Sequence, residues 1–322
     1  MATVLFVGGT GEISKACVEE AVRCGHDVTV FTRGKRGVRD KSIQHIQGDL
    51  ANVDCYAAMG DQEFDVVCQF LGFTVPDVER DIEFFTNRCG QYIFISSASA
   101  YQKPWSGGSI TEDTPLENPF MQYSRDKAAC EAALLRSDAG LNVTIVRPSH
   151  TYRERLPSTV IDGNHMLWRV LNSKPVVIHD DGESLWALTR AEDFATAFVA
   201  LFGKSEANGE AYHITDPNSH SWNSIYQVTA ELLGIDMEIC RVTTQRLVAA
   251  HTAWEGPLRG DKANSVIFDN TKIQHLCSGW QPAFSLAEGM KLALESALER
   301  QKSGYTPPQE IDLLLDQIIG AR

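Results

Sequence analysis

The sequence contains no Cys-x-x-Cys pair. Its 8 cysteines, at 17, 24, 55, 68, 89, 130, 240 and 277, are scattered, which argues against a structural zinc site and against the disulfide framework of a small secreted fold. They read as buried thiols. His165, His179 and Asp180-Asp181 lack the helical i, i+4 spacing of metal ligands, so no metal is expected. No apolar run approaches the roughly 18 residues that cross a bilayer, so no membrane partner is expected. Positive charge is also short: 29 Lys and Arg against 42 Asp and Glu leave a formal net charge of -13. That balance disfavours nucleic acid or anionic lipid as a general partner, because both need clustered cations. The start, Met1-Ala2-Thr3-Val4-Leu5, has no basic leader or cleavage site, and the chain reads as cytoplasmic. There is no internal repeat and no low-complexity segment. What is present, 322 residues at 43% hydrophobic and 22% charged, suffices for a large core with an added lobe.

Short apolar runs rich in β-branched and aromatic residues read as buried strands at 3–8, 27–32, 64–71, 91–97 and 142–147, with a weaker one at 43–47. Helical segments at 12–24, about 52–59, 77–89 and 121–137 alternate with them. This rhythm predicts an α/β fold, a Rossmann-type doubly wound parallel sheet with a smaller mixed C-terminal substrate lobe. The dinucleotide-binding core is expected over 1–152, completed by about 185–220. The lobe is expected over 153–184 and 221–305, and the tail over 306–322. The stretch 152–181 reads as irregular. Helices are expected at 190–203, 222–234, 244–252 and 285–301, strands at 211–215 and 265–268, and a short amphipathic helix at 311–319.

The first strand runs into Gly8-Gly9-Thr10-Gly11-Glu12-Ile13-Ser14, a glycine turn opening a helix, where a pyrophosphate meets free backbone N–H groups and the helix dipole. Ser14 stands where a third glycine is usual. At the end of the second strand an NAD enzyme usually offers a carboxylate to the adenosine ribose, but here Thr32 is followed by Arg33, Lys35 and Arg36, which suit a 2'-phosphate. NADP(H) is therefore favoured, with NAD(H) the alternative. Asp49 and Leu50 close the third strand and Leu71 the fourth, all placed beside the cofactor.

Ser97 ends the fifth strand, at the carboxyl edge where open α/β sheets bind ligands. Alone it reads more readily as a loop cap. Tyr123 and Lys127 stand four apart on a predicted helix and share a face. The three suit hydride transfer: Ser97 orients a carbonyl or alcohol oxygen, Tyr123 exchanges its proton, and Lys127 lowers the phenol's pKa while holding the nicotinamide ribose. Ser99, His150 and Trp186 are candidate walls of a sugar pocket, though His150 and Trp186 read equally well as core. Arg153 and Arg155 are either anion ligands at the crevice mouth or surface arginines.

In this order, Gly8 to Ser14, Ser97 to Tyr101, Tyr123 to Lys127 and Arg147-Pro148 resemble the extended short-chain dehydrogenase/reductase family, of the NAD-dependent epimerase/dehydratase type, over nearly the whole chain. Phe31-Thr32-Arg33-Gly34 and the stretch from Gly260 to Asn270 look closest to a branch with chloroplast stem-loop-binding-like proteins. The resemblance implies Ser97 as catalytic serine and the nicotinamide amide against Pro148 and Ser149. It also implies Arg259 on a diphosphate, a sugar-like substrate of the nucleotide-sugar class, and a homodimer packed through the helices at 77–89 and 121–137. Ala98-Ser99 replaces the Asp-Glu pair of the family's dehydratases, so dehydration is not expected. Epimerase and ketoreductase both remain open. The contrasting reading is a cofactor-binding module without turnover in an RNA-associated or regulatory role, which fits poorly with a charge of -13.

Overall fold

The computed structural model describes residues 1–35 and 40–320, so Arg36 lies outside the described residues. The strands in chain order are β1 Thr3–Val7, β2 Asp27–Thr32, β3 Gln44–Gln47, β4 Phe64–Gln69, β5 Cys89–Ile95, β6 Val143–Pro148, β7 His150–Tyr152, β8 Val176–His179, β9 Leu185–Arg190, β10 Ala211–Ile214, β11 Ser219–Ser221 and β12 Ile239–Val242. The principal helices up to residue 250 are α1 Glu12–Arg23, α2 Val75–Phe85, α3 Gln122–Arg136, α4 Gly163–Leu171, α5 Ala191–Ala200, α6 Trp222–Leu233 and α7 Thr244–Ala250. Seven strands form one sheet in the order β10-β6-β5-β4-β1-β2-β3, and every pairing in it is parallel. The expected α/β, Rossmann-type class is what the chain adopts. A three-stranded sheet β11-β9-β7 and a two-stranded sheet β12-β8 lie outside it.

Side chains alternate across each strand, so a parallel strand buried on both faces feeds two cores. Val4, Phe6, Val28 and Val30 pack with Phe194 and Phe198 of α5 and Val18 of α1. Leu5, Val7, Phe31 and Val67 pack on the other face with Phe85 of α2 and Leu134 of α3. The second core holds a buried carboxylate, Asp81, which accepts from Tyr56 at 2.8 Å, from Tyr92 at 2.7 Å and from Gln69. Gln69 Oε1 in turn accepts from the Leu71 amide at 2.7 Å, fixing the backbone where β4 leaves the sheet.

Local chemistry sets most boundaries. Helix α2 begins two residues early because Thr74 and Asp77 form a reciprocal capping box with Pro76 in the first turn, and it stops before Asn87, which adopts a positive φ of 62°. The expected helix at 52–59 is a run of turns ending in a single 3-10 turn, Ala57–Met59. The Asp49 carboxylate takes the Ala51 amide, and Gly60 follows at φ 56°. The stretch 152–181 is not irregular: Asp162 caps α4 through the Asn164 amide at 2.9 Å, and β8 follows. Residues 265–268 do not form a strand. They run extended between Leu185 and Ile110, and only Phe268 forms a bridge. Beyond α7 come a short helical run over 252–262 and helices Thr271–Leu276, Leu286–Lys302 and Gln309–Gly320. The last docks through Asp312 and Asp316 onto Arg169 and Lys174. Among the described residues no helix is long and apolar enough to cross a membrane.

Candidate functional site

The glycine turn sits between β1 and α1, at the carboxyl edge of the main sheet. Gly8 has φ 91°, and a Cβ on it would meet Leu71 at 2.6 Å; a Cβ on Gly9 would meet Val30 at 2.7 Å. Ser14, in place of a third glycine, is buried, and its Oγ accepts from the Gly11 amide at 2.9 Å. The departure from the glycine pattern is thus a helix cap of minimal size. A groove of about 900 Å³ opens above this turn. Gly8, Thr10, Gly11, Glu12, Ile13, Thr32, Arg33, Lys35, Asp49, Leu50 and Leu71 all line it. Phe31, Phe70, Phe73 and Asp77 line it too. Sequence reasoning did not select them, although Phe70 and Phe73 flank Leu71 just past β4. An elongated groove across the ends of β1, β2 and β4, with a helix N-terminus on one wall and cations at one end, fits a dinucleotide.

A second cavity, of about 250 Å³, adjoins the groove, and Ile13 lines both. Its walls are Ser97, Ala98, Ser99, Pro148, Ser149, His150, Thr151, Trp186, Asp261, Val266 and Phe268 as well as Ile13. The predicted residues Ser97, Ser99, Pro148, Ser149, His150 and Trp186 are therefore brought together. Asp261 was missed, although it stands two residues beyond the arginine that was chosen.

Ser97 caps the short turn that follows β5. Its Oγ accepts from the Ser99 amide at 3.2 Å and lies 2.9 Å from Ser99 Oγ, which accepts from Ser124 of α3 at 2.8 Å. Asn118 donates to Ser99 O and to Gly260 O, each at 2.7 Å, and accepts the Phe120 amide at 3.1 Å. This ties the β5 loop, the start of α3 and the 258–262 turn together. Tyr123 is 37% exposed, and Lys127, one turn on, is 1% exposed. Neither lines the groove or the cavity as described.

Burial pushes the Tyr123 phenol above its ordinary pKa, a hydrogen bond with Ser97 opposes the shift, and the charge of Asp261 adds to it. The phenol therefore stays protonated at neutral pH, whereas the sequence reading had Lys127 pulling it down. Lys127 Nζ donates to Gly72 O and Ile95 O, both at 2.6 Å, and lies 5.8 Å from the Tyr123 ring centroid. Burial lowers its pKa to about 8.

Arg259 is not part of the cavity. The 258–262 segment is a π-helical turn that directs Arg259 outward, where it pairs with Glu255 at 3.1 Å, and brings Asp261 to the cavity wall. Arg153 is held by Glu19 at 2.5 Å and Glu192 at 3.0 Å, and Arg155 lies near Glu12 at 3.6 Å. His150 stands edge-on to Trp186 and Trp222, and burial, with the nearby Lys262 charge, holds its pKa at about 3, so it is neutral. Among the described residues no cluster of metal ligands occurs.

Residues 4–215 match the model of the NAD dependent epimerase/dehydratase family. The chloroplast stem-loop binding protein of 41 kDa b of Arabidopsis thaliana is 26% identical over 304 residues, covering 89% of this chain and 77% of that protein. A UDP-glucose 4-epimerase of Lactobacillus helveticus is 25% identical, covering 87% of this chain and 92% of that one. Among solved structures, the UDP-glucuronic acid 4-epimerase of Bacillus cereus in complex with UDP-glucuronic acid and NAD superposes with a TM-score of 0.75 at 17% identity, over 92% of this chain and 99% of that one.

Proposed function

The chain belongs to the NAD dependent epimerase/dehydratase family, and on that premise we propose that it transfers hydride at a secondary alcohol or ketone carbon of a sugar-like substrate, a nucleotide sugar, as an epimerase or ketoreductase. The observation that carries this reading is Ser97 in the wall of the 250 Å³ cavity that adjoins the dinucleotide-shaped groove, with its loop tied through Ser99 Oγ to Ser124 of α3, the helix that carries Tyr123 and Lys127. A bound nicotinamide cofactor supplies the hydride donor and acceptor. NADP(H) is the favoured form, since Thr32, Arg33 and Lys35 line one end of the groove.

Ser97 Oγ holds the reacting oxygen in place. Tyr123, a phenol protonated at neutral pH, donates its proton to that oxygen as negative charge develops there, and takes a proton back in the oxidising direction. Lys127 supplies a fixed cation under the Tyr123 ring, anchored by two carbonyls so that its position does not depend on ligand. We also read the chain as a homodimer through α2 and α3.

Tyr123→Phe keeps the ring and removes the proton. It is expected to lower kcat by about 10²–10⁴-fold with cofactor affinity unchanged; a variant as active as the parent overturns the assignment. A module without turnover, suggested by the stem-loop-binding relative, would not respond to this change, and the charge of -13 weighs against it.

A further inference from the structure

The cavity wall carries one carboxylate, Asp261, and none of its lining residues is a Lys or Arg. Asp261 is set in place by a built frame. Asn118 Nδ2 holds the Gly260 carbonyl, and a Cβ on Gly260 would come within 3.1 Å of Asn118 Oδ1 and Met121 Cβ, so the turn is pressed against the entry to α3. On the other side the Lys262 carbonyl accepts from Ser184 Oγ at 2.8 Å, and Lys262 Nζ donates to Thr159 O at 3.2 Å. Held this firmly, the Asp261 carboxylate has no hydrogen-bond donor among the described residues. Half-buried and without a protein donor, the carboxylate lines the cavity and is open to a ligand there.

The rest of the wall says what that partner is. Ser97, Ser99, Ser149 and Thr151 offer hydroxyls, while Trp186 and Phe268 offer aromatic surface. Hydroxyls and a carboxylate beside aromatic faces suit a ring with polar edges and apolar C–H faces, and about 250 Å³ is room for one such ring. Lys103 is 2% exposed and its Nζ has no hydrogen-bond partner; its charge and that of Lys262 act on Asp261 and favour the ionised carboxylate.

We propose that Asp261 is the specificity-determining residue of the cavity: it accepts hydrogen bonds from the hydroxyls of a neutral sugar ring and rejects a ring that carries its own carboxylate. This rests on the sugar-like substrate proposed above. Two carboxylates in one small site repel each other, so an acidic ring is discriminated against by an element already in the wall. Burial raises the pKa of Asp261 to about 6, with Lys103 and Lys262 opposing the rise, so the discrimination is in force at pH 8 and fades below pH 6.

The test measures binding of UDP-glucose and of UDP-glucuronic acid to the full chain saturated with NADP, by calorimetry at pH 8 and pH 5.5, for the parent and for Asp261→Asn. The parent is expected to favour UDP-glucose by roughly 10–100-fold at pH 8, and the ratio is expected to shrink at pH 5.5. Asp261→Asn should show the shrunken ratio at both pH values, with NADPH affinity unchanged. Equal affinities in the parent at pH 8, a ratio unaffected by the substitution, or failure of both sugars to bind would overturn the proposal. The pH comparison on the parent decides the matter even if the variant does not fold. The catalytic reading fails separately: if the ratio responds as stated but Tyr123→Phe keeps full turnover, the selectivity stands and the proton-transfer role falls.

Discussion

Arg33 and Lys35 line the groove at the end of β2, exposed and without an acidic partner among the described residues. A guanidinium in that position suits the 2'-phosphate of the proposed NADP(H). Arg33→Ala is expected to weaken NADPH binding by roughly 10–100-fold and leave NADH binding nearly unchanged, as read from nicotinamide fluorescence titrations. Equal losses for both forms would remove the phosphate from the reading. Residues of this kind were legible because each falls on a strand end, where topology alone aims it at the crevice. Gly8, Thr32, Asp49, Leu71 and Ser97 are all of this type. Asp261 was not legible, because the choice between it and Arg259 depends on a π-helical turn. An i→i+5 turn changes which side chain faces inward, and the sequence Leu258-Arg259-Gly260-Asp261-Lys262 carries no sign of it.

Among the elements, the helix Gln309–Gly320 depends most on charge. Asp312 has a side chain 10% exposed and accepts from His165 at 3.1 Å and from Arg169 and Lys174, while Asp316 accepts from Arg169 at 2.8 Å and Lys174 at 2.7 Å. Burial alone would raise the Asp312 pKa, but hydrogen bonds from Lys174, His165 and Arg169 outweigh it and bring it to about 2. The folded value lies below the unfolded one, near ~3.9. The stabilisation is therefore complete above that value and disappears as pH falls through about 2. Asp312→Asn at neutral pH should cost about 2–4 kcal/mol and increase hydrogen exchange in residues 309–320 ahead of the main sheet. Exchange that rises equally everywhere would mean the helix is not a separately held element. The amphipathic pattern announced this helix at 311–319. Its partners were hidden because Arg169 and Lys174 belong to α4 and its exit, a stretch whose Gly163-Asn164 start and short length gave no helical signal.

At the scale of the molecule, the alternation of apolar strands and helices predicted the parallel sheet, because strands covered on both faces must be apolar throughout. The small sheets β11-β9-β7 and β12-β8 were not predicted: their strands are three to six residues long, and all three pairings that build them join segments distant in sequence. The outer surfaces of α2 and α3 flank an exposed groove lined by Val75, Ile82, Ala129 and Ala133, with Glu79, Glu83 and Arg136 around them. An apolar strip rimmed by both signs of charge suits a second copy of the same surface. Sedimentation should give a dimer, and Ala129→Arg should give a folded monomer; a monomeric parent would remove α2 and α3 as an interface.

Asn118 makes the Ser97–Ser99 loop and the turn that carries Asp261 mechanically one part. Its amide fastens the Ser99 loop to the Gly260 carbonyl, while its Oδ1 fixes the first residues before α3. A change in the length of either loop is therefore transmitted to the other, and variants at the two sites should be strongly epistatic. Over evolutionary time such a joint leaves substrate range to be altered by exchanging the side chains that face the cavity, with the loops that carry them kept at fixed length.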